Sequence, residues 1–270
     1  LNPESTAVAE LHLGSQPLIV SLPHVGTVLP REIAKQMTPL ASRVPDTDWQ
    51  VDRLYDFART AGASWLQARI SRYAIDVNRP PDDQSLYPGQ TTSALCPTLS
   101  FSGEPLYERI GPSVAEITER RTRYWVPYHA MLRELIEATR ARYGYAILLD
   151  AHSIRSELPR LFEGRLPDVN VGTNDGRSCA PQLSARLLAV LDEQSQFTHV
   201  LNGRFKGGYI TRTYGNPETN VHAVQLELAQ AAYMDESGIE FDPWRAQPLQ
   251  SVLRLLITEL LRFKIVTQPA

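Results

Sequence analysis

The sequence predicts an α/β fold, with a mostly parallel or mixed sheet and helices on both faces. Three observations lead there. The apolar runs Pro17 to Leu22 and Tyr145 to Leu149 have the length and flanking residues of buried strands. Segments with apolar residues at helical spacing alternate with such runs along the chain. With 270 residues, 43% hydrophobic and 21% charged, the chain is ordinary globular material, long enough to bury a large core. It shows no internal repeat and no low-complexity tract, and residues 1–270 are read as a single domain.

In chain order, the first strand is stopped by Pro23. After Pro45 and Asp46, the residues Val51, Leu54, Tyr55 and Ala58 recur at helical spacing, with Asp46 as N-cap. Trp65 to Ile70 and Tyr73 to Val77 read as two strands or one bent hairpin. Pro80 to Gly103 is a long polar stretch rich in Pro, Gly and Ser, the kind of segment that serves as a lid or binding loop. Pro105 to Tyr143 reads as helical, with Pro112 and Pro127 marking a break or kink. The strand Tyr145 to Leu149 ends at Asp150-Ala151-His152. A short strand, Val169 to Gly172, precedes a helix from Ala180 to Leu191. Gly203 to Gly215 is a glycine-rich basic loop, Val221 to Leu228 a strand, and Leu249 to Phe263 a closing amphipathic helix. In such sheets, ligands sit at the carboxyl ends of the strands.

Composition narrows the function. The net charge is −3, with Lys+Arg 27 against Asp+Glu 30, so no overall field selects nucleic acid or an anionic membrane. An anionic ligand must be held by local arginines. Two cysteines are too few for a disulfide framework and suit a reducing cytoplasm. No apolar run approaches the ~18 residues of a membrane span. Leu1 to Glu10 lacks the pattern of a signal peptide.

Of six histidines, His24 and His152 fall just past the ends of the two best-defined strands. A lone histidine there is usually a hydrogen-bonded strand-end residue; a pair at equivalent positions points to a metal. A catalytic zinc needs a third protein ligand and one open position. Asp48 and Asp52, spaced i, i+4, share one face of the predicted helix. The helix dipole alone accounts for Asp48 in the first turn. Asp52, flanked by Val51 and Leu54, is less readily a solvated surface charge and is the preferred ligand.

Asp76-Val77-Asn78-Arg79 leaves a strand with an amide and a guanidinium fork suited to a carboxylate, although Arg79 has Asp76, Asp82 and Asp83 as alternative partners. Arg72 is a second such candidate. Glu227 lies in the apolar stretch Val221 to Leu228, where burial would raise its pKa toward that of a general base; an exposed edge carboxylate is the alternative. Asn202 to Arg212 carries three cations and three glycines and is either an anion-binding cover or a polar turn; its spacing is not that of a phosphate loop. Cys96 and Cys179 have no histidine nearby in sequence, and no serine sits in a nucleophile elbow.

Taken together, Ser21 to Gly26, Asp48 to Tyr55, Asp76 to Pro81, Asp150 to Ser153, Asn202 to Arg212 and Gln225 to Gln230 resemble the N-formylglutamate amidohydrolase family, over about Leu18 to Met234. The resemblance implies a zinc-peptidase-like, carboxypeptidase-like fold, and hydrolysis of N-formyl-L-glutamate, a small anionic substrate, in histidine degradation; with the single domain and the cytoplasmic setting read above, this is one cytoplasmic catalytic domain. It implies one zinc ion per chain on His24, Asp52 and His152. Glu227 would activate water, and Asn78 with Arg79 would grip the substrate α-carboxylate. Arg72 lies in a stretch similar to the one that supplies an oxyanion-stabilising arginine in aspartoacylases. Arg212 is assigned the second carboxylate. The wider group uses His-x-x-Glu for two ligands, whereas Thr27 stands three residues after His24. The second ligand must therefore come from elsewhere.

Overall fold

The computed structural model describes residues 8–264; of the stretch Leu1 to Glu10, residues 1–7 lie outside them. Seven strands form one sheet: β1 (Ala9–His12), β2 (Leu18–Leu22), β3 (Ser64–Ala68), β4 (Ala146–Ile154), β5 (Val169–Gly172), β6 (His199–Leu201) and β7 (Val221–Ala229). Their order is β1-β3-β2-β4-β7-β5-β6. The central strands β3, β2, β4 and β7 are mutually parallel. β1 is antiparallel to β3, and β5 is antiparallel to β7, so the sheet is mixed. Two short strands, β8 (Met234–Asp235) and β9 (Glu240–Phe241), pair separately.

The helices are α1 (Arg31–Ala34), α2 (Val51–Tyr55), α3 (Phe57–Thr60), α4 (Val114–Arg120), α5 (Val126–Tyr143), α6 (Pro181–Asp192), α7 (Tyr209–Tyr214) and α8 (Pro243–Arg262). On one face, α2, α6 and α8 bury Leu54, Leu187 and Leu253 against Val20, Leu149 and Val224. On the other, α5 buries Tyr128, Leu132 and Ile136 against Ile19, Leu148 and Ala223. Alternation along each strand sends successive side chains to the two cores. Truncating a buried leucine in either core costs about 2–5 kcal/mol. Among the described residues, no helix is long and apolar enough to cross a membrane.

The α2–α3 crossover carries the chain from β2 to β3 on the first face, and α5 leads into β4 on the second. The topology therefore reverses between β2 and β4. Their carboxyl ends border a crevice there, the usual ligand position in such a sheet.

Several local expectations need correction. Tyr73 to Val77 is not a strand; it is a buried, turn-rich segment that bonds through Ala74 N–H to Ser71 and Asp76 N–H to Leu95. An apolar run of that length records burial, not sheet pairing. Residues 105–113 are not helical either. The helix starts at Val114, behind a capping box of Ser113 and Glu116. A π-helical turn, Arg121–Trp125, then joins α4 to α5 just before Pro127, absorbing the missing proline N–H without a break. Asp46 caps nothing: its carboxylate accepts from Tyr73 Oη and Phe101 N–H, both at 2.7 Å. α2 begins only at Val51. β4 runs on to Ile154, so His152 is inside the strand. The closing helix starts at Pro243, where Asp242 accepts from the N–H groups of Trp244 and Arg245.

Candidate active site

At the carboxyl ends of β2, β4 and β7, three segments converge on one buried cluster. His24 follows β2, His152 projects from β4, and Asp48 enters from the loop before α2. That loop is tied down by Asp48 N–H, which donates to the His24 carbonyl at 3.0 Å. Asp48 Oδ2 lies 3.0 Å from His152 Nδ1 and 3.7 Å from His24 Nδ1. These three residues, all buried, each offer a ligand atom within 4.8 Å of the others.

The carboxylate beside the histidines is thus Asp48 and not Asp52. The expectation rested on a helix running through both positions. With the helix beginning at Val51, the i, i+4 relation does not hold, and Asp52 lies in the first turn of α2 outside the group.

Each histidine has a second carboxylate on its far side. His24 Nε2 donates to Asp76 Oδ1 at 2.7 Å, and His152 Nε2 lies 3.1 Å from Asp150 Oδ1. Metal-ligating histidines are commonly oriented this way, with one nitrogen on a carboxylate and the other toward the ion. Burial would raise the Asp48 carboxyl, but the charges and hydrogen bonds of His24 and His152 outweigh it and hold it well below its usual value. Burial opposes the charge on His152, yet Asp150 and Asp48 raise its pKa well above the ordinary value. Four buried carboxylates, Asp48, Asp76, Asp150 and Glu227, surround the two imidazoles, with Arg72 the buried guanidinium beside them. With neutral imidazoles the cluster is short of positive charge, which a divalent cation held by this donor group would supply. The donor set, two imidazoles and a carboxylate, fits zinc.

Above the cluster opens a pocket enclosing about 610 Å³, counting its mouth, lined in part by His24, His152, Glu227, Arg72, Arg79 and Arg204. Glu227 stands on β7 opposite His152 in the parallel register. Its burial pushes the pKa up to about 8, with Asp48 adding to the rise and His152 opposing it. Both faces of β7 are buried, so Glu227 is not an edge carboxylate.

Arg72 reaches Asp76 Oδ2 at 2.7 Å and Asp48 Oδ1 at 3.7 Å and lines the pocket floor. Asn78 is engaged at both ends of its amide: Oδ1 accepts from Ile210 N–H at 2.8 Å, and Nδ2 lies 2.9 Å from His152 Nε2. Arg79 donates to Ser93 Oγ through Nε and Nη2. Arg212 is not among the pocket-lining residues. Its Nε donates to the Gly207 carbonyl at 2.7 Å, and its guanidinium lies over the Tyr87 ring. Gly207 has φ +118°, a conformation that favours glycine, and the chain therefore turns here and sends Arg212 away into α7. Arg204, from the same glycine-rich segment, takes the pocket position instead. It is anchored by Leu161 and Thr91 carbonyls, both at 2.9 Å.

From the sequence, Asp76 enters only as an alternative partner of Arg79, whose Nε lies 3.9 Å from Asp76 Oδ2, and Asp150 and Tyr87 have no role. Asp150 had a usable signal, because residues 150 and 152 share a strand face at period two. The loop 80–103, irregular as expected, supplies Tyr87, Thr91, Ser93 and Phe101 to the pocket wall. Cys96 and Cys179 are buried, with thiols pushed up to about 11 and about 12, unsuited to thiolate chemistry at neutral pH.

The family model for N-formylglutamate amidohydrolase matches residues 16–234. The chain belongs to the N-formylglutamate amidohydrolase family. It is 49% identical over 256 residues to N-formylglutamate deformylase of Pseudomonas putida, covering 94% of this chain and 96% of that protein. It is 50% identical over 250 residues to the protein of the same name in Pseudomonas aeruginosa, covering 92% and 94%. The crystal structure of N-formylglutamate amidohydrolase from Ralstonia eutropha JMP134 superposes with a TM-score of 0.81 at 26% identity, covering 95% of this chain and 99% of that one. A gene product of Agrobacterium tumefaciens, at 17% identity and TM-score 0.71, has the same fold over 96% of this chain and 98% of its own. The family spans every element of the site described above.

Proposed function

We propose that this chain hydrolyses N-formyl-L-glutamate to L-glutamate and formate, as in histidine degradation, with one zinc ion held by His24, Asp48 and His152. The observation that carries the reading is one pocket that reaches both histidines of a metal-type donor group and is lined as well by a buried carboxylate and three arginines. The names of the Pseudomonas relatives support the choice of substrate. When bound, zinc would polarise the formyl carbonyl and lower the pKa of water from about 15.7 to about 7. Asp76 and Asp150 hold the two imidazoles in place. The Glu227 carboxylate accepts the proton of the attacking water and then delivers it to the departing amine. Arg72, fixed by Asp76, faces the tetrahedral oxyanion, a role often worth ~3 kcal/mol per donor.

Arg79 offers a planar fork to the α-carboxylate, and Asn78 braces His152 and the Ile210 backbone around it. Arg204 takes the side-chain carboxylate, in place of Arg212. The deciding experiment incubates purified zinc-loaded protein with N-formyl-, N-acetyl- and N-succinyl-L-glutamate. Equimolar formate and glutamate from the first, with little turnover of the others, is expected. Preference for a larger acyl group would overturn the substrate assignment while leaving the metal chemistry in place.

A further inference from the structure

One buried side chain in the pocket is used by none of the steps above: Gln225. It lies two residues before Glu227 on β7, opposite Asp150 in the register, so it shares the face on which Glu227 projects. Its amide has a defined orientation. Gly208 N–H donates to it at 2.7 Å, so that end must be the oxygen. The other end, Nε2, therefore donates to Glu227 Oε2 at 3.2 Å.

The amide thus links the carboxylate to a fixed backbone point. Gly208 cannot shift readily, because the space a Cβ would take there is filled by the Asn78 amide. Asn78 is in turn bound to Ile210 N–H. One oxygen of Glu227 is engaged by Gln225, and the other is left for the reacting water.

We infer that Gln225 is a positioning residue, which holds the Glu227 carboxylate in its working orientation against the Gly208 backbone. The inference rests on Glu227 being the base. Misplacement of a reacting group by about 1 Å costs on the order of 100-fold in rate. The effect should fall on kcat, since Gln225 donates to the base and to no group assigned to the substrate.

Two variants separate the halves of the link. Gln225→Glu keeps an acceptor for Gly208 N–H but loses the amide donor to Glu227, and its kcat is taken from the high-pH plateau, where the two carboxyls no longer share a proton; Gln225→Leu loses both. Each is measured for zinc content, for KM and kcat on N-formyl-L-glutamate, and again in a Glu227→Gln background. The expected result is full zinc content, KM within about two-fold, kcat lowered roughly 10- to 100-fold in both variants, and no further loss in the Glu227→Gln background. Near-normal kcat for Gln225→Glu, or equal losses with and without Glu227, would overturn the inference and make Gln225 a loop anchor only. Normal turnover by Glu227→Gln itself would instead overturn the assignment of the base. If Gln225→Leu does not fold, Gln225→Glu alone decides between these outcomes. If Gln225→Glu does not fold, the additivity of Gln225→Leu with Glu227→Gln decides.

Discussion

Asp48 sits against the histidines because its own backbone N–H is spent on the His24 carbonyl, and Ser153 N–H donates to its carboxylate at 3.2 Å. These bonds are long-range in sequence and leave no periodic trace, which is why the helical pattern favoured Asp52. The histidines themselves were legible, since each is tied to an apolar run. Asp48→Asn should lose most bound zinc while Asp52→Asn keeps about one ion per chain, because catalytic sites of this type use three protein ligands. Elemental analysis after desalting checks both; zinc retained by Asp48→Asn would exclude it as a ligand. The arginines separate in the same way. Arg204 lines the pocket and Arg212 braces Gly207. Losing a charged hydrogen-bond partner costs about 1.5–3 kcal/mol, roughly 10- to 150-fold. Arg204→Ala should therefore lower kcat/KM by that factor on N-formylglutamate and far less on N-formylglutamine. Equal losses on the two substrates would remove Arg204 from the side-chain subsite.

At the scale of elements, α5 does more than cover the sheet. His129 Nε2 donates to the Val77 carbonyl at 2.8 Å, and Trp125 Nε1, from the π-helical turn, donates to the Arg79 carbonyl at 3.0 Å. Together they clamp the segment that carries Asn78 and Arg79. The apolar run Tyr73 to Val77 looked like a strand because this clamp buries it; the partner is a helix over a hundred ångströms of contour away in sequence terms, invisible to any short window. The imidazole is neutral here: burial depresses its pKa to about 4, partly opposed by the Val77 bond. Between pH 6.5 and 4 the unfolded chain binds a proton that the folded chain refuses, so stability falls as pH falls through that window. The loss is on the order of 3 kcal/mol. Urea midpoints at pH 7.5 and pH 5 should differ less in His129→Gln than in the parent. An unchanged pH dependence would mean that another group controls acid sensitivity.

For the molecule as a whole, the fold class was legible because strand runs and helical periods are local, and both faces of the sheet are covered as they imply. The edges were not. β1 is short and largely exposed and β6 is three residues long and half-buried, too little pattern to read. The proposed metal joins what the topology keeps apart. His24 and Asp48 stand at two separated points of the β2–β3 connection and His152 lies within β4, brought together at the reversal between β2 and β4. An ion bound there stabilises only the folded chain, because the unfolded chain does not hold the three donors together. At a free zinc concentration of 100 times Kd the gain is about 2.7 kcal/mol. For a chain of this size that corresponds to roughly 5–11 °C in Tm, at about 2–4 °C per kcal/mol. Chelation should therefore abolish hydrolysis and lower Tm together, and added zinc should restore both. His24→Ala and His152→Ala should show the lowered Tm with no response to zinc. Calorimetry on parent and variants, with and without chelator, checks this. A parent protein that keeps full activity and an unchanged Tm without metal would rule out the zinc mechanism at its root.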